Sequence, residues 1–141
     1  MSKISIRRIN KAVHFEGVNE NGNTISLDGS PKIGGEDKGV RPMELLLFGV
    51  AGCSSIDIVS FLGKMKQDLQ DLRVEVEGRR EEGAIPAVFV GIHVHYYLYG
   101  EIKREKAVQA IELSLDKYCS VSKMLDKVAE ITYDLTINPE E

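Results

Sequence analysis

The stretch LLLFGVAGCSSIDIVSFL, residues 45–62, is the most apolar run of the chain and has Cys53 at its middle. Pro42 precedes it and suits the first turn of a helix, because proline has no backbone N–H to leave unpaired there. The run is apolar almost all round, which is typical of a helix enclosed on every side. It therefore predicts a central helix from Pro42 to about Gly63.

A run of this length could also span a membrane. However, Asp57 lies near its centre, where a charge is costly inside a bilayer. The amphipathic segments elsewhere in the chain also need a core on which to pack. We therefore expect a buried helix and no membrane partner. Because one chain offers too little cover for a helix that is apolar on every face, we also expect a homodimer with the central helices inside.

The N-terminal part predicts three short strands, at 2–9, 12–18 and 24–27, with the Asn-Gly turn signal of a hairpin in NENGN, 19–23. The Gly-rich, charged segment 28–41 has no periodicity and is predicted to be a long, functional or mobile loop.

After the central helix, alternation in LRVEVEGR and in AVFVGIHVHYYLYG predicts an antiparallel hairpin over 69–100. Residues 101–118 read as an amphipathic helix with Ala107 and Tyr118 on one stripe, followed by a short helix and a last strand at 131–137. Grouped strands predict an α+β fold with a mainly antiparallel sheet. The length predicts a single domain over residues 1–141.

The net charge of −4 and the pI near 5.5 argue against nucleic acid as a partner, because phosphate binding needs a concentrated basic surface. The first ten residues, MSKISIRRIN, lack the apolar core of a secretory signal. We therefore expect a cytoplasmic protein, in which thiols stay reduced unless their chemistry is redox.

The two cysteines have different surroundings. Cys119 lies where one helix ends and another begins, and free N–H groups at a helix start lower a thiol pKa. Apolar burial alone would raise the pKa of Cys53 and leave it inert. Yet Gly49 and Gly52 are unfavourable inside a helix and indicate close approach of another backbone or a ligand. Either both thiols are inert small hydrophobes, or Cys53 lines a crevice.

The histidines give a weaker signal. His93 and His95 are two apart on a predicted strand and share its face with Tyr97 and Tyr99. Nothing in the sequence places a third ligand beside them, so a polar row is predicted and no metal site. No phosphate-binding glycine loop or Ser-His-Asp pattern is present.

The cysteine contexts resemble one family. RPMELLLFGVAGCSSIDIVSFL (41–62) resembles the cysteine helix of the OsmC/Ohr superfamily of osmotically inducible and organic hydroperoxide resistance proteins, and KYCSVSKML (117–125) resembles its second cysteine motif. The likeness covers nearly the whole chain and is greatest to the YhfA-like branch.

The resemblance implies an intertwined homodimer in which mainly antiparallel sheets wrap around two long central helices. It also implies a thiol-dependent peroxidase that acts on organic hydroperoxides in the oxidative stress response. Cys53 would attack the peroxide, and Cys119 would resolve the sulfenic acid to a disulfide. A small external dithiol would then reduce that disulfide, with no bound cofactor or metal. This assignment conflicts with the helix-start argument, which makes Cys119 the more acidic thiol.

The chain departs from the family where the reactive thiolate is held by a glutamate and an arginine. Met43 stands at the position of the glutamate, and Glu44 is one residue out of register, about 100° round the helix. Candidate supporting residues are Glu44 and Asp57 for the acid, and Arg41, Arg79 and Arg80 for the cation. Met43 also favours an alternative, a non-catalytic dimer of the same fold that binds an apolar small molecule while its cysteines are vestigial.

Overall fold

A computed structural model describes residues 1–140 of the chain. The chain forms two compact units, Met1–Leu46 and the part that begins at Leu47. Each unit contains one three-stranded sheet. Three helices complete a mixed α+β fold, which confirms the predicted fold class. Whether the two units fold as a single domain stays a prediction.

The sheet of the first unit is an antiparallel meander. Its strands are β1 (Ile4–Arg8), β2 (Phe15–Asn19) and β3 (Thr24–Leu27), in the order β1-β2-β3. The predicted hairpin turn joins β2 to β3, and Gly22 adopts there a φ of +87°, which glycine reaches at no steric cost.

The segment from Asp28 to Arg41 is an ordered loop, with a 3-10 turn at Pro31–Ile33. The Asp28 carboxylate is its organising group: it is buried and accepts hydrogen bonds from the backbone N–H groups of Gly29, Glu36 and Lys38 at 2.8, 3.0 and 3.1 Å. A buried carboxylate with three donors accounts for a long loop of defined shape.

Helix α1 (Pro42–Lys64) has the predicted bounds, but its own chain covers only one side of it. Val50, Ser54, Ile58 and Leu62 are buried, whereas Phe48, Ile56 and Val59 are 61%, 72% and 53% exposed. The enclosure expected on every side is therefore not reached within one chain, because a single sheet can cover only one helix face. By length and composition alone, α1 would also pass as a membrane-spanning helix, a test that core helices of soluble proteins pass as well.

The second unit contains the predicted long hairpin. Strand β4 (Asp68–Arg80) pairs antiparallel with β5 (Phe89–Glu101), and β6 (Glu130–Ile137) pairs parallel with β5, so the sheet order is β4-β5-β6. The parallel pair arises because helices intervene between β5 and β6 and return the chain to the same end of the sheet. The other strand pairs, β1 with β2, β2 with β3 and β4 with β5, are antiparallel.

The crossover from β5 to β6 consists of α2 (Arg104–Leu113), a π-helical turn at Ser114–Tyr118 and α3 (Ser120–Leu125). The prediction that Tyr118 shares the buried stripe of Ala107 is wrong: Ala107 is buried and Tyr118 is 51% exposed. The wide π turn changes the angular phase of the residues that follow α2, so a periodicity of 3.6 residues no longer applies to them.

The core of the second unit lies on one face of β5. Ile92, Val94, Tyr96 and Leu98 are buried, and the alternate residues face the other way. This period-2 pattern fixes which side chains meet α1 and which remain on the outer face of the sheet.

Candidate active site

Cys53 lies at the middle of α1 and is half-buried. A Cβ added to Gly49, one turn earlier, would lie 3.3 Å from the Val121 side chain of α3. A side chain therefore approaches Gly49 closely, where the sequence predicted another backbone or a ligand. Gly52 differs, because a Cβ added there meets nothing within 4 Å, so this glycine borders open space on the uncovered side of the helix.

Cys119 is buried at the N-cap of α3, as the sequence predicted. Its Sγ accepts a hydrogen bond from the backbone N–H of Ser122 at 3.3 Å. Its own backbone N–H donates to the Ser114 carbonyl at 2.7 Å, which closes the π turn. The side-chain sulfur and the backbone N–H of Cys119 are thus both held by local backbone groups.

The predicted lowering of the Cys119 pKa is wrong. Burial raises the pKa of the Cys119 thiol, the N–H of Ser122 opposes that effect, and the neighbouring Cys53 side chain raises the pKa further. The net direction of the Cys119 pKa is upward, because the contacts with Ser122 at a six-residue helix cannot replace the water that the thiolate loses. Burial therefore disfavours the thiolate form of Cys119. That Cys53 affects this pKa also indicates that the two thiols are neighbours.

Asp57 follows Cys53 by one helical turn and accepts a hydrogen bond from the Ser114 hydroxyl at 2.9 Å. Since the carbonyl of Ser114 holds the backbone of Cys119, this contact ties α1 to the turn that carries the second thiol. The partner of the Asp57 carboxylate is thus the Ser114 hydroxyl, on the turn that precedes Cys119. Its predicted role as the acid that orients a cation stays a prediction.

Tyr96 was missed by the sequence analysis. It is buried on the core face of β5, and its hydroxyl donates to Ser54 Oγ at 2.7 Å, next to Cys53 in the chain. Ser54 Oγ in turn donates to the Val50 carbonyl at 2.7 Å. Burial raises the pKa of Tyr96 far above its ordinary value, and Cys119 contributes to the increase. A neutral phenol therefore lies near the thiols; the alternation of β5 was the signal that could have found it.

Arg79 and Arg80 lie at the end of β4. The Arg79 guanidinium lies over Gly91 of the neighbouring strand, 2.9 Å from the position that a Cβ of residue 91 would occupy. Arg80 Nε donates a hydrogen bond to the Ala87 carbonyl at 2.9 Å. Among the described residues of the second unit, neither arginine hydrogen-bonds to Asp57 or to either cysteine. Their role as the missing cation stays a prediction.

Glu44 and Arg41 cap the start of α1. Glu44 Oε1 accepts a hydrogen bond from the backbone N–H of Arg41 at 2.8 Å, which is half of a capping box. The Arg41 guanidinium forms an ion pair with Asp37 and donates to the Asp28 carbonyl at 3.4 Å. Both side chains thus have local structural partners, and Met43 between them is half-buried.

The structure places Asp134 beside the two histidines of the predicted polar row. His95 Nδ1 lies 2.8 Å from Asp134 Oδ1, and His93 Nε2 lies 3.4 Å from Asp134 Oδ2. The carboxylate belongs to β6, 39 residues after His95, and the parallel register sets the two residues opposite each other. Only the strand pairing reveals this third group, which is why the sequence alone did not place it.

Comparison with known proteins agrees with this geometry. A sequence model of the family described as OsmC-like protein matches residues 35–134. Protein YhfA of Escherichia coli strain K12 is 39% identical over 124 residues, covering 87% of this chain and 89% of that protein.

Solved structures show the same fold. An OsmC-like protein from Mycoplasma pneumoniae aligns with a TM-score of 0.82 at 18% identity, covering 97% of this chain and 96% of that one. An organic hydroperoxide resistance protein OsmC from Legionella pneumophila aligns with a TM-score of 0.73 at 16% identity, covering 96% of each chain. The helix that carries Cys53, the turn that carries Cys119 and the extent of these matches lead to one conclusion: the chain belongs to the OsmC-like family and is similar to YhfA.

Proposed function

We propose that this protein is a thiol-dependent peroxidase that reduces organic hydroperoxides, with Cys53 as the peroxidatic and Cys119 as the resolving cysteine. The observation that carries the proposal is the pairing of a half-buried Cys53 with a buried Cys119, whose pKa is raised by that burial. A thiolate is the nucleophile in such chemistry, and Cys119 is disfavoured as one. The raised pKa of Cys119 supports the family assignment over the helix-start argument.

The reaction proceeds in three steps. The Cys53 thiolate attacks the O–O bond, so that an S–O bond forms, the O–O bond breaks and the alcohol leaves with a proton. Cys119 then attacks the sulfenic sulfur: its thiol proton moves to the sulfenic hydroxyl, an S–S bond forms, the S–O bond breaks and water leaves. Finally, an external dithiol reduces the disulfide by thiol–disulfide exchange and becomes oxidised itself. No bound cofactor takes part.

The positioning of the two thiols is supported by the contact between Asp57 and Ser114 and by the close packing of Val121 on Gly49. Both hold the turn that carries Cys119 against α1. The apolar side chains of α1 favour an alkyl-bearing hydroperoxide over hydrogen peroxide as substrate, because burial of apolar surface contributes to its binding.

We further propose a homodimer in the cytoplasm as the working form. Phe48, Gly52, Ile56 and Val59 form an uncovered stripe along α1, and a second copy would cover it. The organic hydroperoxide resistance protein of Legionella pneumophila has the same fold, which supports the peroxidase class for this chain.

The test follows the consumption of cumene hydroperoxide by the reduced protein with a dithiol, together with the intact mass. We expect turnover, and loss of two hydrogens when the oxidant is added without dithiol. Cys53→Ser should abolish both. Cys119→Ser should stop the mass loss of two and leave a sulfenic acid that a dimedone probe captures. Ser60→Ala, an exposed change on the same helix, is the matched control.

A second candidate, binding of an apolar small molecule without catalysis, is favoured by a cavity of about 330 Å³ in the first unit. Its walls are almost entirely apolar and include Ile6, Phe15 and Ile33. Hydroperoxide consumption no faster than that of free dithiol, with unchanged protein mass, would reject the peroxidase and favour this alternative.

A further inference from the structure

A second cluster of reactive side chains lies on the outer face of the β4-β5-β6 sheet, on the side opposite the core. His93 and His95 occupy alternate positions of β5, and Asp134 lies beside them on β6. Their side chains are 35%, 25% and 57% exposed, so solvent reaches all three. The proposed peroxidase chemistry uses none of them.

The three groups converge on one point. One ligand atom from each residue, an imidazole nitrogen or a carboxylate oxygen, lies within 4.8 Å of the others. The His95 Nδ1 to Asp134 Oδ1 distance is already 2.8 Å. Ligands at about 2.0–2.2 Å from a tetrahedral zinc ion lie roughly 3.3–3.6 Å apart, so small rotations about the side-chain bonds suffice.

The outer nitrogens of both rings already have oxygen partners. His93 Nδ1 lies 2.6 Å from Thr132 Oγ1, and His95 Nε2 lies 3.4 Å from Glu77 Oε1. Histidines that ligate a metal typically donate their other N–H to such an oxygen, which fixes the tautomer and the ring orientation. The sheet therefore supplies both the ligands and the groups that orient them.

His95 Nδ1 and Asp134 Oδ1 face each other at 2.8 Å, so a metal ion that took the place of the hydrogen between them would have both atoms as ligands. The donor set decides which metal ions suit the position: imidazole nitrogens favour Zn²⁺ and its neighbours over Mg²⁺ and Ca²⁺.

We propose that His93, His95 and Asp134 form a binding site for a divalent transition-metal ion of the Zn²⁺ class, with the remaining coordination position open to water. The site is separate from Cys53 and Cys119 and does not depend on their activity. It joins β5 to β6 across the parallel pair.

The test is calorimetric titration of the reduced, metal-free full-length protein with ZnCl₂ near pH 7.5. We expect one ion per chain at this site. His93→Gln and Asp134→Asn should each weaken binding at least 100-fold. Thr132→Val, which keeps all three ligands, should weaken it about 10-fold by removing the oxygen beside His93 Nδ1. The far-UV circular dichroism of each variant shows whether it is folded.

Two controls separate this site from other zinc ligands. His14→Gln, which removes the one histidine outside the cluster, should bind as the wild type does. Cys53→Ser should also keep the affinity, and the Co²⁺-loaded protein should show no thiolate-to-metal charge-transfer band. Zinc binding that is equally strong in folded His93→Gln and wild-type protein would overturn the proposal. So would a complete absence of binding.

Discussion

Among single residues, Cys119 best illustrates the competition between local and tertiary effects on a thiol. A helix start lowers a thiol pKa, burial raises it, and in this chain burial prevails. Burial affects the neighbouring phenol of Tyr96 in the same way. It raises the pKa of Tyr96, so the hydroxyl remains a hydrogen-bond donor to Ser54. The two groups are thus held neutral beside the more accessible Cys53.

The first prediction concerns alkylation. At pH 7, iodoacetamide should modify Cys53 before Cys119, as measured by peptide mass spectrometry. Because the Cys119 pKa is raised, its alkylation rate should still increase above about pH 8.5, where that of a free cysteine levels off. This pH profile separates an effect on the pKa from mere lack of access. In urea, the alkylation rates of Cys53 and Cys119 should become similar. Faster modification of Cys119 than of Cys53 at pH 7 in the folded protein would contradict the assignment of Cys53 as the nucleophile.

The second prediction concerns Tyr96→Phe. The change removes the buried O–H that donates to Ser54 and should lower the free energy of unfolding by about 1 kcal/mol, measured by urea denaturation. Tyr99→Phe, on the opposite face of the same strand, is the matched control and should change it by less than about 0.5 kcal/mol. Equal effects of the two changes would mean that the Tyr96 hydroxyl makes no net contribution.

At the scale of elements, helix α1 and the π turn before Cys119 are joined by a single polar contact between Asp57 and Ser114. A third prediction follows for Ser114→Ala. Loss of a donor to a carboxylate should lower the free energy of unfolding by about 1–2 kcal/mol, and the Cys53–Cys119 disulfide should form more slowly after oxidation. Ser120→Ala, exposed at the start of α3, should alter neither the stability nor the rate. A disulfide rate unaffected by Ser114→Ala would show that the turn is held by other contacts.

The loop of the first unit yields a fourth prediction. Burial raises the pKa of Asp28, but the three backbone N–H donors lower it by more, so the net pKa is below the ordinary value. A lowered folded-state pKa gives stability that is complete above about pH 4 and is lost as the pH falls through the folded-state value.

Asp28→Asn should therefore reduce hydrogen-exchange protection of the Glu36 and Lys38 amides at pH 6, where the wild-type carboxylate is charged. The difference in protection between the two proteins should shrink as the pH falls below the folded-state pKa. Glu20→Gln, at an exposed turn, is the control. A difference that grows with acidification would contradict the assigned direction of the shift.

At the scale of the whole molecule, the uncovered stripe of α1 is the dominant feature. Ile56 is 72% exposed on a helix whose opposite side is completely buried. Exposed apolar stripes of this kind mark surfaces that associate, and an isologous dimer is the simplest way to cover one.

The fifth prediction tests that assembly. The wild-type protein should be a dimer by analytical ultracentrifugation, and Ile56→Glu should shift it to monomer, because a charge buried without a partner costs several kcal/mol. Val128→Glu, a similar change at a residue that is 58% exposed beyond α3, should leave the dimer intact. A wild-type monomer would reject the proposed dimer, and a dimeric Ile56→Glu would place its interface elsewhere.

Local patterns accounted for the elements of this fold. Alternation predicted β4, β5 and β6, the Asn-Gly signal predicted the hairpin of β2 and β3, and the apolar run after Pro42 predicted α1. These succeed because side-chain burial repeats with the period of each element and the strongest signals are local. The position of Cys119 at a helix start was predicted for the same reason, whereas its raised pKa was not, since burial depends on the surrounding chain.

The sequence by itself determined the α+β class, the location of both cysteines on their elements and the excess apolar surface of α1. Tertiary structure alone decided which distant groups meet: Ser114 with Asp57, Tyr96 with Ser54, and Asp134 with His93 and His95. The physical reason is that hydrogen bonds between side chains depend on strand register and on the phase of a π turn. A shift of one residue in either moves a side chain to another face.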